Sequence, residues 1–201
     1  RISWDEALNT IADRFLELRE SRGPESVALI KGHYDRRCDL ISRMGNAFGT
    51  PNIAGIDNTC YIPSASGRLV TYGFDGRPDF SGGPDCVMSW GSGVDVPLKK
   101  GAKRIVVNTL KTSAAEKADI WLQPRPASDL ALALGIIYVI VNEGLYDKNF
   151  VDNWTVGFEK LEKHIQDYFP EKVAELTWVH AKKITETARI FASYDYACLQ
   201  T

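Results

Sequence analysis

Several classes of protein are excluded by what the sequence lacks. The most apolar stretch, Leu130 to Val141, is shorter than the roughly 18 residues that a membrane-spanning helix needs, and it is typical of a buried helix. No basic cluster of more than a few residues is present and the net charge is −2, which argues against nucleic acid as a partner. The G-x-G-x-x-G fingerprint of nicotinamide dinucleotide binding is absent as well.

The cysteines exclude further possibilities. Cys38, Cys60, Cys86 and Cys198 are far apart and none belongs to a C-x-x-C pair, so neither a structural zinc site nor a thioredoxin-like site is indicated. Four cysteines in 201 residues are too few for a disulfide framework. No signal peptide is visible, and Arg1 leads directly into a helix cap, so we expect an internal piece of a longer protein.

What is present is typical of a globular chain. Apolar residues make up 44% and charged residues 25%, and 201 residues suffice for one domain or two small ones. A capping box from Ser3 to Glu6 begins an amphipathic helix that ends near Gly23. Helices are also predicted from about residue 36 to Phe48, after Pro63, and from Ser128 to Glu143. Three more are predicted between Tyr146 and Ser193, with breaks near Gly157, Pro170 and Thr177.

Short apolar runs between these helices predict strands. They are Ser26 to Ile30, Cys86 to Trp90, Arg104 to Asn108, Ile120 to Gln123 and a last one from Tyr196 to Leu199. The alternation predicts an α/β fold with a mostly parallel sheet and flanking helices over about residues 1–125, followed by a mainly helical part over 126–201.

Ligands of such sheets bind outside the carboxyl ends of the strands. Gly91, Ser92 and Gly93 follow the second strand there, either as a backbone that a phosphate or flat cofactor can approach or as a plain tight turn. His33, after the first strand, is either a contact to substrate or cofactor or a surface histidine.

A more specific pattern begins at residue 101. The chain reads G-A-K-R-I-V-V-N-T-L-K-T at 101–112, A-D-I-W-L-Q-P-R-P at 118–126 and S-D-L-A-L-A-L-G at 128–135. It closely resembles the molybdopterin oxidoreductase pattern G-A-K-x-I-V-V-D-P-R-x-T followed by A-D-x-W-L-x-x-R-P-G-T-D-x-A-L-A-L-G. The stretches R-I-S-W-D-E-A-L at 1–8 and G-N-A-F-G-T-P-N at 45–52 are also similar to this family, the dimethyl-sulfoxide-reductase superfamily.

The resemblance implies two Rossmann-like halves and a bis(molybdopterin guanine dinucleotide) cofactor that holds molybdenum or tungsten. It implies a two-electron oxidoreductase of anaerobic respiration that acts on a small-molecule substrate, with the missing parts of the same chain and electron-transfer subunits as partners. A [4Fe–4S] cluster is implied only upstream of Arg1, and this chain alone is expected to be inactive. Neither a nucleic acid partner nor a membrane span is expected.

Cys60 matches the position from which a side chain of this family ligates the metal. A thiolate suits a metal that is already held by sulfur. The alternative is a free cysteine packed in a core, which is the interpretation we keep for Cys38, Cys86 and Cys198. Tyr61 follows where formate dehydrogenases of this type usually have histidine, which argues against formate as the substrate.

Two loops match those that cradle the guanine dinucleotide in the family. The matching residues are Asn108, Lys111 and Thr112 in the first loop and Arg125, Ser128 and Asp129 in the second. The Asp129 carboxylate can accept two parallel hydrogen bonds from the edge of guanine. The alternative role, compatible with the first, is as a cap for the helix that follows, for which Ser128 is the other candidate.

Some residues depart from the family pattern and leave alternatives open. Asn108 to Lys111 replace the usual Asp-Pro-Arg, and the connection between the second and third strands is short. Both features favour a cofactor-free scaffold subunit of a respiratory complex, whereas Cys60, Arg125 and Asp129 oppose it. A tungsten hydratase without net redox chemistry is another alternative, and a stand-alone nucleotide-binding domain is a weaker one.

Overall fold

The structure is a computed structural model that describes residues 1–32, 38–55, 59–76, 79–92 and 98–201, with residues 38 and 39 described by their backbone only. The chain divides into two compact units, Arg1–Arg77 and Pro78–Thr201. The predicted change to a helical part near residue 125 falls inside the second unit, and as a domain boundary it stays a prediction. His33 and Gly93 lie outside the described residues.

Within its described residues, the first unit contains helices and two short strands. Its elements are α1 (Trp4–Arg22), a 3-10 turn (Pro24–Ser26), β1 (Leu29–Lys31), α2 (Cys38–Phe48), β2 (Ile53–Gly55) and α3 (Tyr61–Tyr72). α1 begins as predicted, because Ser3 Oγ accepts a 3.1 Å hydrogen bond from the backbone N–H of Glu6. Among the described residues of this unit, Val27 is the only hydrophobic residue that is buried.

The strands β1 and β2 form a parallel pair in which Leu29 lies opposite Ile53. The predicted strand Ser26 to Ile30 starts too early, because a 3-10 turn occupies Pro24–Ser26. The sequence does not predict β2, since three residues in a glycine- and asparagine-rich stretch show no periodicity. Buried Thr50 connects the two strands: its hydroxyl donates to Val27 O at 2.5 Å and accepts from the N–H of Asn52 at 3.1 Å.

The second unit is built on a four-stranded sheet with helices around it. Its elements are β3 (Cys86–Trp90), β4 (Lys103–Val107), α4 (Ser113–Glu116), β5 (Ile120–Leu122), α5 (Asp129–Asn142), α6 (Lys148–Trp154), α7 (Phe158–Ile165), α8 (Pro170–Thr177), α9 (Ala181–Ala192) and β6 (Ala197–Gln200). The strand order is β5-β4-β3-β6 and all three neighbouring pairs are parallel. The α/β fold with a mostly parallel sheet and flanking helices is therefore confirmed.

Both faces of this sheet are covered, because successive side chains of a strand point to opposite faces. On one face Ile105 of β4 packs in the main core cluster with Leu132 of α5 and Ile184 of α9. On the other face Val106 packs against Ala114 of α4. A strand buried on both faces has a continuous apolar sequence, which explains why β3 and β4 were predictable from short apolar runs.

The helical part after α5 contains one helix more than predicted. Four helices lie between residues 146 and 193 rather than three, and the predicted breaks near Gly157, Pro170 and Thr177 all occur. Gly157 has a φ of 82°, and Pro170 is the first residue of α8, where its missing N–H is not needed. In the described part of the chain no helix is both long and apolar enough to cross a membrane.

Trp178 ends α8 in the left-handed region, with φ at 65°, a conformation that favours glycine. Its side chain is 70% exposed, so little packing is lost when it is replaced. We expect Trp178→Gly to be more stable than Trp178→Ala by about 1 kcal/mol, because only glycine removes the clash of Cβ with the backbone. Urea unfolding of the two variants measures the difference. Equal stability of the two would contradict the assigned backbone conformation.

Candidate cofactor site

The carboxyl ends of three strands lie level with one another at one edge of the second unit's sheet. Trp90 lies opposite Val107, and Val107 lies opposite Leu122. The next residues continue this alignment: the N–H of Gly91 donates to Val107 O at 2.8 Å, and the N–H of Asn108 donates to Leu122 O at 3.1 Å. The edge thus brings together the starts of the loops after β3, β4 and β5, which contain the predicted cofactor residues of this unit.

The loop after β3 begins at Gly91, whose φ is 68°. A Cβ added at Gly91 would meet nothing within 4 Å, so glycine is needed for its backbone conformation and not for a close approach by another part of the described chain. Ser92 follows and is half-buried. In the described part of the chain, no atom fills the space beside the Gly91 backbone at this strand end.

The loop after β4 is closed by Asn108 and by residues of β5. Asn108 Oδ1 accepts from the N–H of Leu110 at 2.9 Å, and the Asn108 carbonyl accepts from Trp121 Nε1 at 3.0 Å. Gln123 Nε2 donates to the Thr109 carbonyl at 3.0 Å. The side-chain oxygen of Asn108 thus closes the loop in the way that an aspartate oxygen can. Asparagine in place of the family's aspartate is therefore compatible with this turn.

Lys111 and Thr112 end the same loop. Lys111 is exposed. Thr112 is the N-cap of α4, and its Oγ1 accepts from the N–H of Ala115 at 3.3 Å. The hydroxyl proton of Thr112 is not used in this contact, because the hydroxyl acts there as an acceptor. Thr112 therefore has a structural role, and its O–H can still donate to a ligand oxygen.

The loop after β5 leads into α5, where neither of the two predicted cap residues makes a side-chain capping bond. Ser128 occupies the N-cap position but makes no capping bond, because its Oγ donates to the Arg125 carbonyl at 2.6 Å. Asp129 does not cap either: its Oδ1 accepts from Trp90 Nε1 at 2.7 Å. Ser128 is thus the N-cap residue by position, as predicted, but neither side chain makes the expected capping hydrogen bond. The Asp129 carboxylate is exposed at the strand-end edge.

Arg125 is fixed at both its backbone and its side chain. Its N–H donates to the Thr177 carbonyl at 2.8 Å, and its guanidinium lies 5.9 Å from the ring centroid of Trp178. Sequence reasoning missed Trp90 and Trp178 as partners of predicted site residues. A tryptophan that directly precedes the Gly91 turn was the available signal for Trp90, whereas the position of Trp178 depends on tertiary structure.

Cys60 belongs to the first unit and directly precedes α3. Its thiol is free and exposed, and it occupies the N-cap position without making a capping bond. Cys86 and Cys198, in contrast, are buried in the second unit. Burial, with Asp119 and Cys198 nearby, raises the pKa of Cys86 to about 11, so this thiol is protonated at neutral pH. Of these three cysteines, Cys60 is the one that a large ligand can reach.

Two further observations bear on where a ligand binds. Among the residues that the structure describes, no three His, Cys, Asp or Glu side chains come together in a metal-binding cluster. A groove of about 720 Å³ lies at α6 and α7, and its lining, which includes Tyr146, Asp152 and Phe158, contains none of the predicted site residues. The candidate cofactor site at the strand-end edge is therefore based on the predicted residues that the aligned strands bring together, and not on this groove.

The chain is a homologue of the molybdopterin oxidoreductases, as its motifs predicted. No protein-family model matches it. It is 37% identical over 207 residues to acetylene hydratase from Syntrophotalea acetylenica, with 96% of this chain and 28% of that protein covered. It is 31% identical to the thiosulfate reductase molybdopterin-containing subunit PhsA of Salmonella typhimurium, with 96% of this chain and 27% of that protein covered.

A comparison with solved structures also finds a molybdopterin enzyme. The solved structure of acetylene hydratase from Pelobacter acetylenicus superposes with a TM-score of 0.74 at 35% sequence identity, over 100% of this chain and 29% of that chain. The chain thus spans less than a third of the length of these proteins.

Proposed function

We propose that the parent protein of this chain is a molybdenum or tungsten enzyme with a bis(molybdopterin guanine dinucleotide) cofactor, and that it catalyses two-electron oxidation or reduction of a small molecule. The observation that carries the proposal is the strand-end edge. There the Asp129 carboxylate is held at the end of β3 by the indole N–H of Trp90. The chain alone is expected to be inactive, since it spans less than a third of its relatives.

The residues at this edge suit the two chemical parts of a guanine dinucleotide. A carboxylate such as that of Asp129 is the acceptor that the N1–H and N2–H edge of guanine requires. Lys111 and Arg125 are exposed cations that suit a diphosphate, and the Thr112 hydroxyl suits a ribose or phosphate oxygen. No described residue fills the space beside Gly91, which suits the close approach of a ligand to the backbone. The donor and acceptor types thus match the group.

In the same proposal Cys60 supplies the protein ligand to the metal. Its exposed thiol at the start of α3 supports this role, because a cysteine that contributes only to packing would be buried. The metal–pterin group, when bound, supplies a centre that changes oxidation state by two electrons. This chain would hold the metal through Cys60 and the nucleotide through the strand-end loops.

A second candidate is a hydratase without net redox chemistry. The observation that favours it is the identity of 37% to acetylene hydratase, compared with 31% to the thiosulfate reductase subunit. The two candidates share the cofactor and differ in partners. The redox enzyme needs electron-transfer subunits, whereas the hydratase needs only water and its substrate. The cofactor-free scaffold is the third alternative, and the exposed Cys60 and the exposed Asp129 carboxylate, held at the end of β3 by Trp90, argue against it.

The test is made on the parent protein, produced in a host that makes the pterin and purified without oxygen. We expect about one molybdenum or tungsten per chain, with guanine nucleotide released on acid hydrolysis. Turnover with a viologen dye as electron donor or acceptor identifies the redox enzyme, and water addition to an alkyne without dye identifies the hydratase. A well-folded parent protein with neither metal nor pterin would overturn both in favour of the scaffold.

A further inference from the structure

One hydrogen bond at the strand-end edge joins two side chains that are 39 residues apart: Trp90 Nε1 donates to Asp129 Oδ1 at 2.7 Å. We infer that Trp90 is a positioning residue, which orients the Asp129 carboxylate so that the site selects guanine over other purines. The inference rests on the proposed function, because it assumes that the edge binds the nucleotide end of the cofactor.

Trp90 is suited to this role because it is itself held in place. It is the last residue of β3, with Ser89 before it buried, and its side chain packs against the main core cluster. Asp129, in contrast, is exposed at the first position of α5. An exposed aspartate samples several rotamers, and a bond to a fixed indole selects one of them. The packed partner is thus in the sheet and the exposed partner is in the helix.

The hydrogen bond from the indole also competes with the backbone N–H groups of α5 for the Asp129 carboxylate. The first backbone N–H groups of a helix need acceptors, and an aspartate in the first turn can supply one. Ser128, the N-cap residue of α5, makes no capping bond, so its side chain does not supply an acceptor for these N–H groups. Without the Trp90 N–H, Asp129 can turn towards its own helix and would be lost to a ligand.

The remaining capacity of the carboxylate matches guanine. Each carboxylate oxygen can accept two hydrogen bonds, so Oδ1 can accept from the indole and from one guanine N–H while Oδ2 accepts from the other. Adenine has an acceptor at N1, and hypoxanthine lacks the N2 amino group. A correctly oriented Asp129 therefore binds guanine more tightly than either base. The difference in affinity between guanine and hypoxanthine measures the hydrogen bond from the N2 amino group, which depends on the orientation of the carboxylate.

The test compares the affinities of GDP and IDP for the full-length parent protein produced without cofactor. For the wild type we expect GDP to bind at least about tenfold more tightly than IDP, because one hydrogen bond to a charged group is lost with IDP. For Trp90→Phe, which keeps an aromatic ring and removes the N–H, we expect this ratio to fall about threefold or more. Melting temperatures show whether each variant is folded.

Trp121→Phe is the matched control, since it removes another indole N–H at the same edge, the one that donates to the Asn108 carbonyl. It should leave the GDP to IDP ratio unchanged even if it lowers both affinities. A Trp90→Phe protein that binds both nucleotides more weakly with an unchanged ratio, or that keeps wild-type binding, would overturn the positioning role. A wild-type protein without preference for GDP would overturn the guanine dinucleotide proposal itself.

Discussion

Replacing Cys60 by serine in the parent protein is expected to lower turnover at least about 100-fold, since changes to groups that merely support a metal ligand already lower affinity or activity about 10–100-fold. A serine hydroxyl is a harder ligand than a thiolate and is not ionised near neutral pH, so it interacts differently with a metal held by sulfur. The measurements are turnover per bound metal and the X-ray absorption spectrum of the metal, in which one sulfur neighbour should be lost.

The local structure makes this variant a clean test. Cys60 is exposed and occupies the N-cap position of α3, where serine is among the preferred residues. The substitution should therefore not destabilise the protein, and lost turnover cannot be attributed to unfolding. Cys198→Ser is the control, because it changes a buried thiol of β6 and should leave the metal spectrum unchanged. A Cys60→Ser protein with the wild-type spectrum and wild-type turnover would exclude Cys60 as a ligand.

The second large effect concerns stability. Leu132 of α5 is fully buried in the core cluster beneath the sheet. Truncation to alanine removes buried methyl groups and leaves a cavity, which lowers the free energy of unfolding by about 2–5 kcal/mol. We expect Leu132→Ala to fall in this range, as measured by urea unfolding of the 201-residue chain with tryptophan fluorescence as the signal.

Leu130→Ala provides the comparison within the same helix. Leu130 lies two residues before Leu132 and is 72% exposed, so its truncation should change the free energy of unfolding by no more than about 0.5 kcal/mol. Helix propensity is the same in both variants, since both replace leucine by alanine in α5. Similar losses for the two variants would show that the core described for the second unit is wrong.

The sequence predicted elements well where burial alone determines them. β3 was predicted with the bounds that are observed, and β4 within one residue, because both are apolar on two faces. β2 was missed, since its three residues become a strand only through pairing with β1. α3 begins two residues before Pro63, and proline is compatible with the first turn of a helix, so this proline did not mark its start.

For the candidate site, the sequence likewise predicted some features and missed others. The pattern from residue 101 to 135 located the loops after β4 and β5, and the parallel register places the starts of both loops at one edge with Gly91. The start of α5 at Ser128 was predicted, but the capping hydrogen bond was not, because the sequence shows which residues can cap and not which competing partners lie nearby. The Asp129 carboxylate accepts a hydrogen bond from Trp90, and the Ser128 hydroxyl donates one to the Arg125 carbonyl. Both contacts form only in the folded loop.

The pairing of β3 with β6 has a consequence for synthesis. Ser89 of β3 bonds to Gln200 of β6, which follows 111 residues later. At about 5–20 residues per second, one side of β3 waits roughly 6–22 s on the ribosome before its partner strand exists. An apolar strand with an unpaired edge can pair with another nascent chain during that time. Efficient production of this protein should therefore depend on a ribosome-associated chaperone that covers β3, and slower translation between these two strands should lower the soluble yield.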